Sequence, residues 1–97
     1  MTAPDPGELR VSRSVEIVNR RGLHARASAR FVTLASTLPA KVEVEKDGAR
    51  VVGTSIMGLM MLGAAIGDTV TISASGDGAE QAVTALADLV EAKFGEE

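Results

Sequence analysis

A chain of 97 residues with ten Lys or Arg against thirteen Asp or Glu carries a formal charge of −3. That length suits one domain, and the acidic balance excludes a binder of nucleic-acid backbones, which needs a basic stripe. No Cys is present, which excludes disulfides and thiolate chemistry and fits a cytoplasmic setting, and with two Phe and neither Tyr nor Trp the core must be aliphatic.

Residues 1–10 hold two of the three prolines, a glycine and mixed charges, and read as a disordered extension ahead of a single domain over 11–97. The start is polar, so no signal peptide is expected. The longest uncharged stretch, Val51 to Gly67, is broken by Gly53, Gly58 and Gly63. It falls short of the roughly 20 apolar residues of a bilayer span, so no membrane insertion is expected.

Ser14 to Asn19 alternates as a strand, with Val15 and Ile17 on one face and Ser14 and Glu16 on the other. Asn19-Arg20-Arg21-Gly22 then reads as a polar loop. A helix starts near His24 or Ala25, with Ala27, Phe31, Leu34 and Leu38 as its buried stripe, and Pro39 stops it. Lys41 to Glu45 alternates with the valines inward, and Asp47-Gly48 marks a tight hairpin to a returning strand over 49–52. A short helix spans Ser55 to about Leu62, capped by Thr54 or Ser55. Asp68 to Ala74 is a fourth strand. A last helix follows with Asp77 as its cap and Ala79, Ala82, Val83, Leu86, Leu89 and Val90 on one stripe. The order β-α-β-β-α-β-α packs most economically as a four-stranded antiparallel sheet with three helices on one face, an α+β fold.

His24 is the only histidine, and it sits where a strand turns into a helix. Neutral imidazole is a nucleophile near pH 7, and helix-start amides favour anions. Arg26 adds a fork of donors suited to phosphate oxygens, with Arg20 and Arg21 just upstream and no acidic residue between Asn19 and Arg30. These features suit a phosphoryl acceptor. On local physics alone a lone His at a helix start is more often an ordinary surface residue or cap. One His and no Cys make no usual metal site, and no hydrolytic triad is marked out, so neither metal nor cofactor is expected.

Gly22-Leu23-His24-Ala25-Arg26-Ala27-Ser28-Ala29 resembles the active-site segment of the HPr family, the histidine-containing phosphocarriers of the bacterial phosphotransferase system. Ser55-Ile56-Met57-Gly58-Leu59-Met60-Met61-Leu62-Gly63 resembles that family's regulatory-serine segment. Val70 to Gly76 resembles its last strand and turn. The likeness runs from about Val11 to Phe94 and implies an open-faced β-sandwich. It implies that Enzyme I phosphorylates the Nδ1 atom of His24 and that this protein then passes the group to EIIA-type acceptors, with Arg26 as the active-site arginine. Nothing in the sequence calls for an oligomer, so a monomer is expected. It matches Ser55 to the serine modified by the HPr kinase/phosphorylase, and Ile56, Met57 and Met60 to a docking face beside His24, with Leu59 and Leu62 turned inward. On the residues alone, Ser55 is a capping hydroxyl. Ile56, Met57, Leu59, Met60, Met61 and Leu62 are too many apolar residues for one face of a short helix, so either local irregularity buries them all or some form an exposed partner surface. One departure is Ala27, where the sugar branch commonly has Pro. Alanine there resembles the nitrogen-related branch, whose output is control of partners through phosphorylation state.

Overall fold

The computed structural model describes residues 10–96 and orders the elements as β1 (Arg10–Glu16), α1 (Ala25–Ser36), β2 (Lys41–Lys46), β3 (Ala49–Val52), α2 (Ile56–Met61), β4 (Thr69–Ser75) and α3 (Ala79–Glu91). The strands form one antiparallel sheet in the order β1-β4-β2-β3. Each long strand alternates, so one sheet face is apolar and the other polar. Val15, Val42, Val44, Val70, Ile72 and Ala74 are buried on the inner face under the helices. The outer face is open, and its hydroxyls pair across strands: Ser12 with Ser73 at 2.9 Å and Ser14 with Thr71 at 3.2 Å. This is the open-faced α+β sandwich that the element order implied. No helix among the described residues is long and apolar enough to cross a membrane.

The expected extension lies outside the described residues except for Arg10, which opens β1 opposite Ser75. The hairpin between β2 and β3 turns on Asp47 and Gly48, both at positive φ, as the Asp-Gly pair predicted. The α1 stripe shifts from its predicted place. Ala27, Ser28, Phe31 and Ala35 are buried, whereas Leu34 and Leu38 are half-buried at the rim. The same happens on α3, where Ala87 is buried and Leu89 is not fully so. Helix α3 lies directly on β1 and β4, where its alanines permit a close approach, whereas α1 packs chiefly against α2 and α3. Asp77 does not cap α3; the N-cap is Gly78 at φ 73°, with no side-chain bond.

The chain beyond α3 forms an element that periodicity did not predict. Lys93, Phe94 and Gly95 all have positive φ, at 60°, 54° and 78°. A non-glycine residue held there costs about 1–3 kcal/mol, so something must hold it. The Phe94 ring is fully buried, and the Arg30 guanidinium of α1 donates to the Phe94 carbonyl at 2.6 Å. Gly95, at φ 78°, suits this left-handed turn and leaves room for the same guanidinium, which a Cβ there would displace. The turn folds the chain back across the start of α1. Phe94→Ala should cost about 3–5 kcal/mol in a urea unfolding experiment, because truncating a buried ring leaves a cavity. A loss under about 1 kcal/mol would mean that the ring is not a core residue.

Candidate functional site

The loop between β1 and α1 is fixed by its neighbours before any functional side chain is considered. Leu23 donates its N–H to the Ala64 carbonyl at 3.0 Å, and Leu23 itself is buried. Gly22 lies at φ 62°, and a Cβ there would overlap the Ala64 carbonyl oxygen. Only glycine lets this loop sit so close to the segment after α2. Ser28, buried in the first turns of α1, donates its hydroxyl to the Leu23 carbonyl at 3.1 Å. These bonds place His24 at the N-cap of α1, with φ −73° and ψ 179°.

His24 is a cap by position only. Its side chain makes no capping bond, and its carbonyl accepts from the Ser28 N–H at 2.9 Å. The amides of Ala25, Arg26 and Ala27 have no hydrogen-bond partner among the described residues. They are the orphan donors of a helix start, and with the helix dipole they favour an anion beside the ring. No acidic residue lies in the first turn of α1 to compete for them.

The imidazole edge is engaged elsewhere. Nε2 of His24 lies 2.5 Å from Oε2 of Glu96, the residue that the C-terminal turn delivers. The other Glu96 oxygen accepts from Asn19 Nδ2 at 3.1 Å, and the same Nδ2 donates to the Gly22 carbonyl at 2.8 Å. Asn19 is fully buried, and its Oδ1 has no partner among the described residues. Asn19 lies in the expected polar loop, and its buried amide ties that loop to Glu96. Burial alone would raise the Glu96 carboxyl. The bonds from His24 and Asn19 and the positive charge of Arg21 outweigh it, so the carboxyl is held below the usual glutamate value. Glu96 is therefore an anion at neutral pH. An ionised carboxylate only accepts, so the bonded neutral imidazole carries its proton on Nε2 and its lone pair on Nδ1.

Arg20, Arg21, Arg26, His24 and Glu96 line a recess of about 390 Å³ at this corner of the molecule. The three arginines are exposed, and none forms an ion pair with a described carboxylate. Three guanidinium groups against one carboxylate leave the recess positive inside an acidic protein. Its open mouth and the half-buried ring suit chemistry done with another macromolecule. Among the described residues no group of three or more His, Asp or Glu could hold a metal ion.

Ser55 is the N-cap of α2, and its hydroxyl accepts from the Gly58 N–H at 2.9 Å. Leu59 and Leu62 point inward. Ile56, Met57 and Met60 are exposed, as are Val52, Met61 and Ile66. The apolar surface is thus wider than the three side chains that the sequence singled out, and it surrounds Ser55 in the chain. Glu96 is the site residue that the sequence reading missed. No spacing rule connects it to position 24, because the link is a tertiary turn.

A family profile described as the PTS HPr component phosphorylation site matches residues 11–92. A phosphocarrier protein HPr of Neisseria meningitidis is 46% identical over 86 residues, which cover 89% of this chain and 97% of that protein. A phosphocarrier protein NPr of Shewanella violacea is 37% identical over 87 residues, covering 90% and 96%. The crystal structure of HPr-C-His from Thermoanaerobacter tengcongensis superposes with a TM-score of 0.85 at 49% identity, covering 90% of this chain and 98% of that one.

A depressed carboxyl adds stability above its unfolded pKa and loses it as pH falls through the folded pKa. The Glu96 tether should therefore persist at neutral pH and be lost only below the usual glutamate range. A ¹³C titration of the Glu96 carboxyl should give a midpoint below that of a free glutamate, and His24→Ala should move it upward. A wild-type midpoint at or above the free value would contradict the bonding described.

Proposed function

Since the chain belongs to the HPr family of phosphocarriers, we propose that His24 takes a phosphoryl group from phosphorylated Enzyme I and passes it to EIIA-type acceptors. The observation that carries this reading is the pairing of an imidazole, its Nδ1 unbonded among the described residues, with three unpartnered amides at the start of α1. The Nδ1 lone pair forms the new N–P bond while the donor's bond to phosphorus breaks, its electron pair leaving with the donor. The amides of Ala25 to Ala27 and the Arg26 guanidinium then face the phosphoryl oxygens and lower the cost of gathering negative charge there. The reverse step to an acceptor uses the same donors. The protein is a substrate of its partners more than an enzyme in its own right. This reading makes it a cytoplasmic monomer.

The exposed Ile56, Met57 and Met60 supply the docking face in this reading. Flexible thioether side chains adapt to more than one partner shape, which suits a carrier that must meet donor and acceptor in turn. Ser55 is the regulatory position, modified by the HPr kinase/phosphorylase. A phosphate on its hydroxyl keeps acceptor oxygens near the Gly58 amide and suits a helix start, yet adds nearly two negative charges between the apolar contacts. Docking would weaken while the fold persisted.

One observation favours a second reading, in which phosphorylation state controls regulatory partners instead of driving sugar uptake. Ala27 is fully buried in the first turn of α1, where the sugar branch commonly carries Pro, and the NPr of Shewanella violacea is among the similar proteins. Complementation of a sugar-uptake mutant separates the two.

Incubation with Enzyme I and labelled phosphoenolpyruvate should add one phosphoryl group to the wild type, stable in alkali, and none to His24→Ala, as read by mass spectrometry. Labelling of His24→Ala would place the acceptor elsewhere. Met57→Glu should raise the KM for phosphorylation about tenfold or more, the cost of burying an unpaired charge in an interface core, and leave the circular dichroism spectrum unchanged. An unchanged KM would remove Met57 from the docking face.

A further inference from the structure

The carboxylate of Glu96 has no role in the transfer described above, yet the fold makes an elaborate arrangement to present it. Two consecutive non-glycine residues, Lys93 and Phe94, are held at positive φ. Arg30 and the buried Phe94 ring anchor the turn, and the buried amide of Asn19 fixes one carboxylate oxygen. The second oxygen is thereby aimed at Nε2 of His24 at 2.5 Å. These contacts come from different parts of the chain, and together they place one carboxylate group, with one oxygen on Asn19 and the other on His24.

We infer that Glu96 is a positioning residue for phosphoryl transfer, which holds the His24 ring in the tautomer with Nδ1 free and stabilises the positive charge that the ring acquires on phosphorylation. The inference rests on the reading of His24 as the phosphoryl acceptor and adds the part that selects the reacting atom. In water a neutral imidazole samples both tautomers. An acceptor fixed at Nε2 keeps the proton there, which leaves the Nδ1 lone pair as the one nucleophile. When Nδ1 forms its bond to phosphorus, the ring becomes a cation shared between its two nitrogens. The Nε2 proton stays between Nε2 and Glu96, and the carboxylate faces a charge opposite to its own. The logic is that of the carboxylate behind the histidine in a Ser-His-Asp triad, which orients the ring and stabilises its charged form without taking the proton.

The geometry also settles how an anion can sit beside an anion-binding site. Glu96 bonds one edge of the ring, and the transferred group adds to the Nδ1 edge. The bonds from His24 and Asn19, with the nearby positive charge of Arg21, hold the carboxylate as an anion. Arg26 and the amides of Ala25 to Ala27 have no such carboxylate contact among the described residues and remain for the phosphoryl oxygens. The loop and the turn that keep Glu96 in place therefore keep its charge in a fixed position relative to the incoming group.

The single histidine makes the test clean, because ring-¹⁵N labelling reports one residue. In the full chain the neutral ring of the wild type should show Nε2–H as the dominant form, with Nδ1 giving the shift of an unprotonated nitrogen. Glu96→Ala should drive the two nitrogens toward averaged shifts and lower the rate of phosphorylation by Enzyme I at least about tenfold, with an unchanged KM. Glu96→Asp should recover part of both readouts. Removing an exposed carboxylate elsewhere, as in Glu80→Ala, should change neither. An Nδ1–H ring in the wild type, or identical ring shifts and rates in Glu96→Ala, would overturn the inference. A faster rate in Glu96→Ala would also overturn it, because the carboxylate would then obstruct the ring. If wild type takes no phosphoryl group from Enzyme I, the carrier reading fails by itself, and the ring shifts still decide whether Glu96 sets the tautomer.

Discussion

The unpartnered amides at the start of α1 are the constraint from which the rest of this molecule follows. A helix start leaves donors without acceptors, and most helices answer that with a capping side chain. Here the cap position holds an imidazole that makes no such bond, so the donors stay available. The surrounding structure is consistent with keeping them so. The loop before α1 is pinned to the Ala64 carbonyl, Gly22 permits the close approach, and Ser28 ties the first turn back to Leu23. The first turn carries no acid, and the neighbouring arginines have no described carboxylate to neutralise them.

The sheet supplies rigidity for that corner at little cost in complexity. The inner face of β1, β2 and β4 is built of Val, Ile and Ala, and α3 packs directly on β1 and β4. Just past the end of β1, Ile17 donates its N–H to the Asp68 carbonyl and accepts from the Gly67 N–H, which carries the sheet's order into the loop that leads to His24. Helix α2, with its exposed Ile56, Met57 and Met60, belongs to the same corner, since the segment that follows it provides the Ala64 carbonyl. Reacting atom and apolar surface are thus tied to one another through main-chain bonds and not through mobile side chains. That suits a protein whose work is to be recognised at one place by several partners.

The features that sequence made legible are those with a short-range signature. Alternation in Lys41 to Glu45, the Asp47-Gly48 turn and the capping hydroxyl of Ser55 each act over a few residues, and each appears where the pattern put it. His24 and Arg26 stood out because a strand-to-helix junction and a basic cluster coincide in a dozen residues, and the resemblance to the HPr active-site segment singled them out; the structure places both at the recess. What escaped was set by volume or by tertiary folding. Leu34 and Leu89 scored as core by hydropathy, but Ala35 and Ala87 permit a closer approach and took the inner line. Asn19 looked like a loop residue because its burial depends on Glu96, seventy-seven positions away. Glu96 itself carries no local mark, since a left-handed turn at Phe94 has no periodicity and depends on a ring finding its slot in the core.

The central claim is that an imidazole at a helix start accepts a phosphoryl group on Nδ1, the ring nitrogen that Glu96 does not engage. Heteronuclear ¹⁵N–³¹P coupling in the phosphorylated protein tests it most directly, read together with the amide shifts of residues 25–27. The account predicts phosphorus coupled to Nδ1 of His24 and large downfield shifts at those three amides. Coupling to Nε2, or phosphorylation that leaves the three amides unmoved, would contradict it.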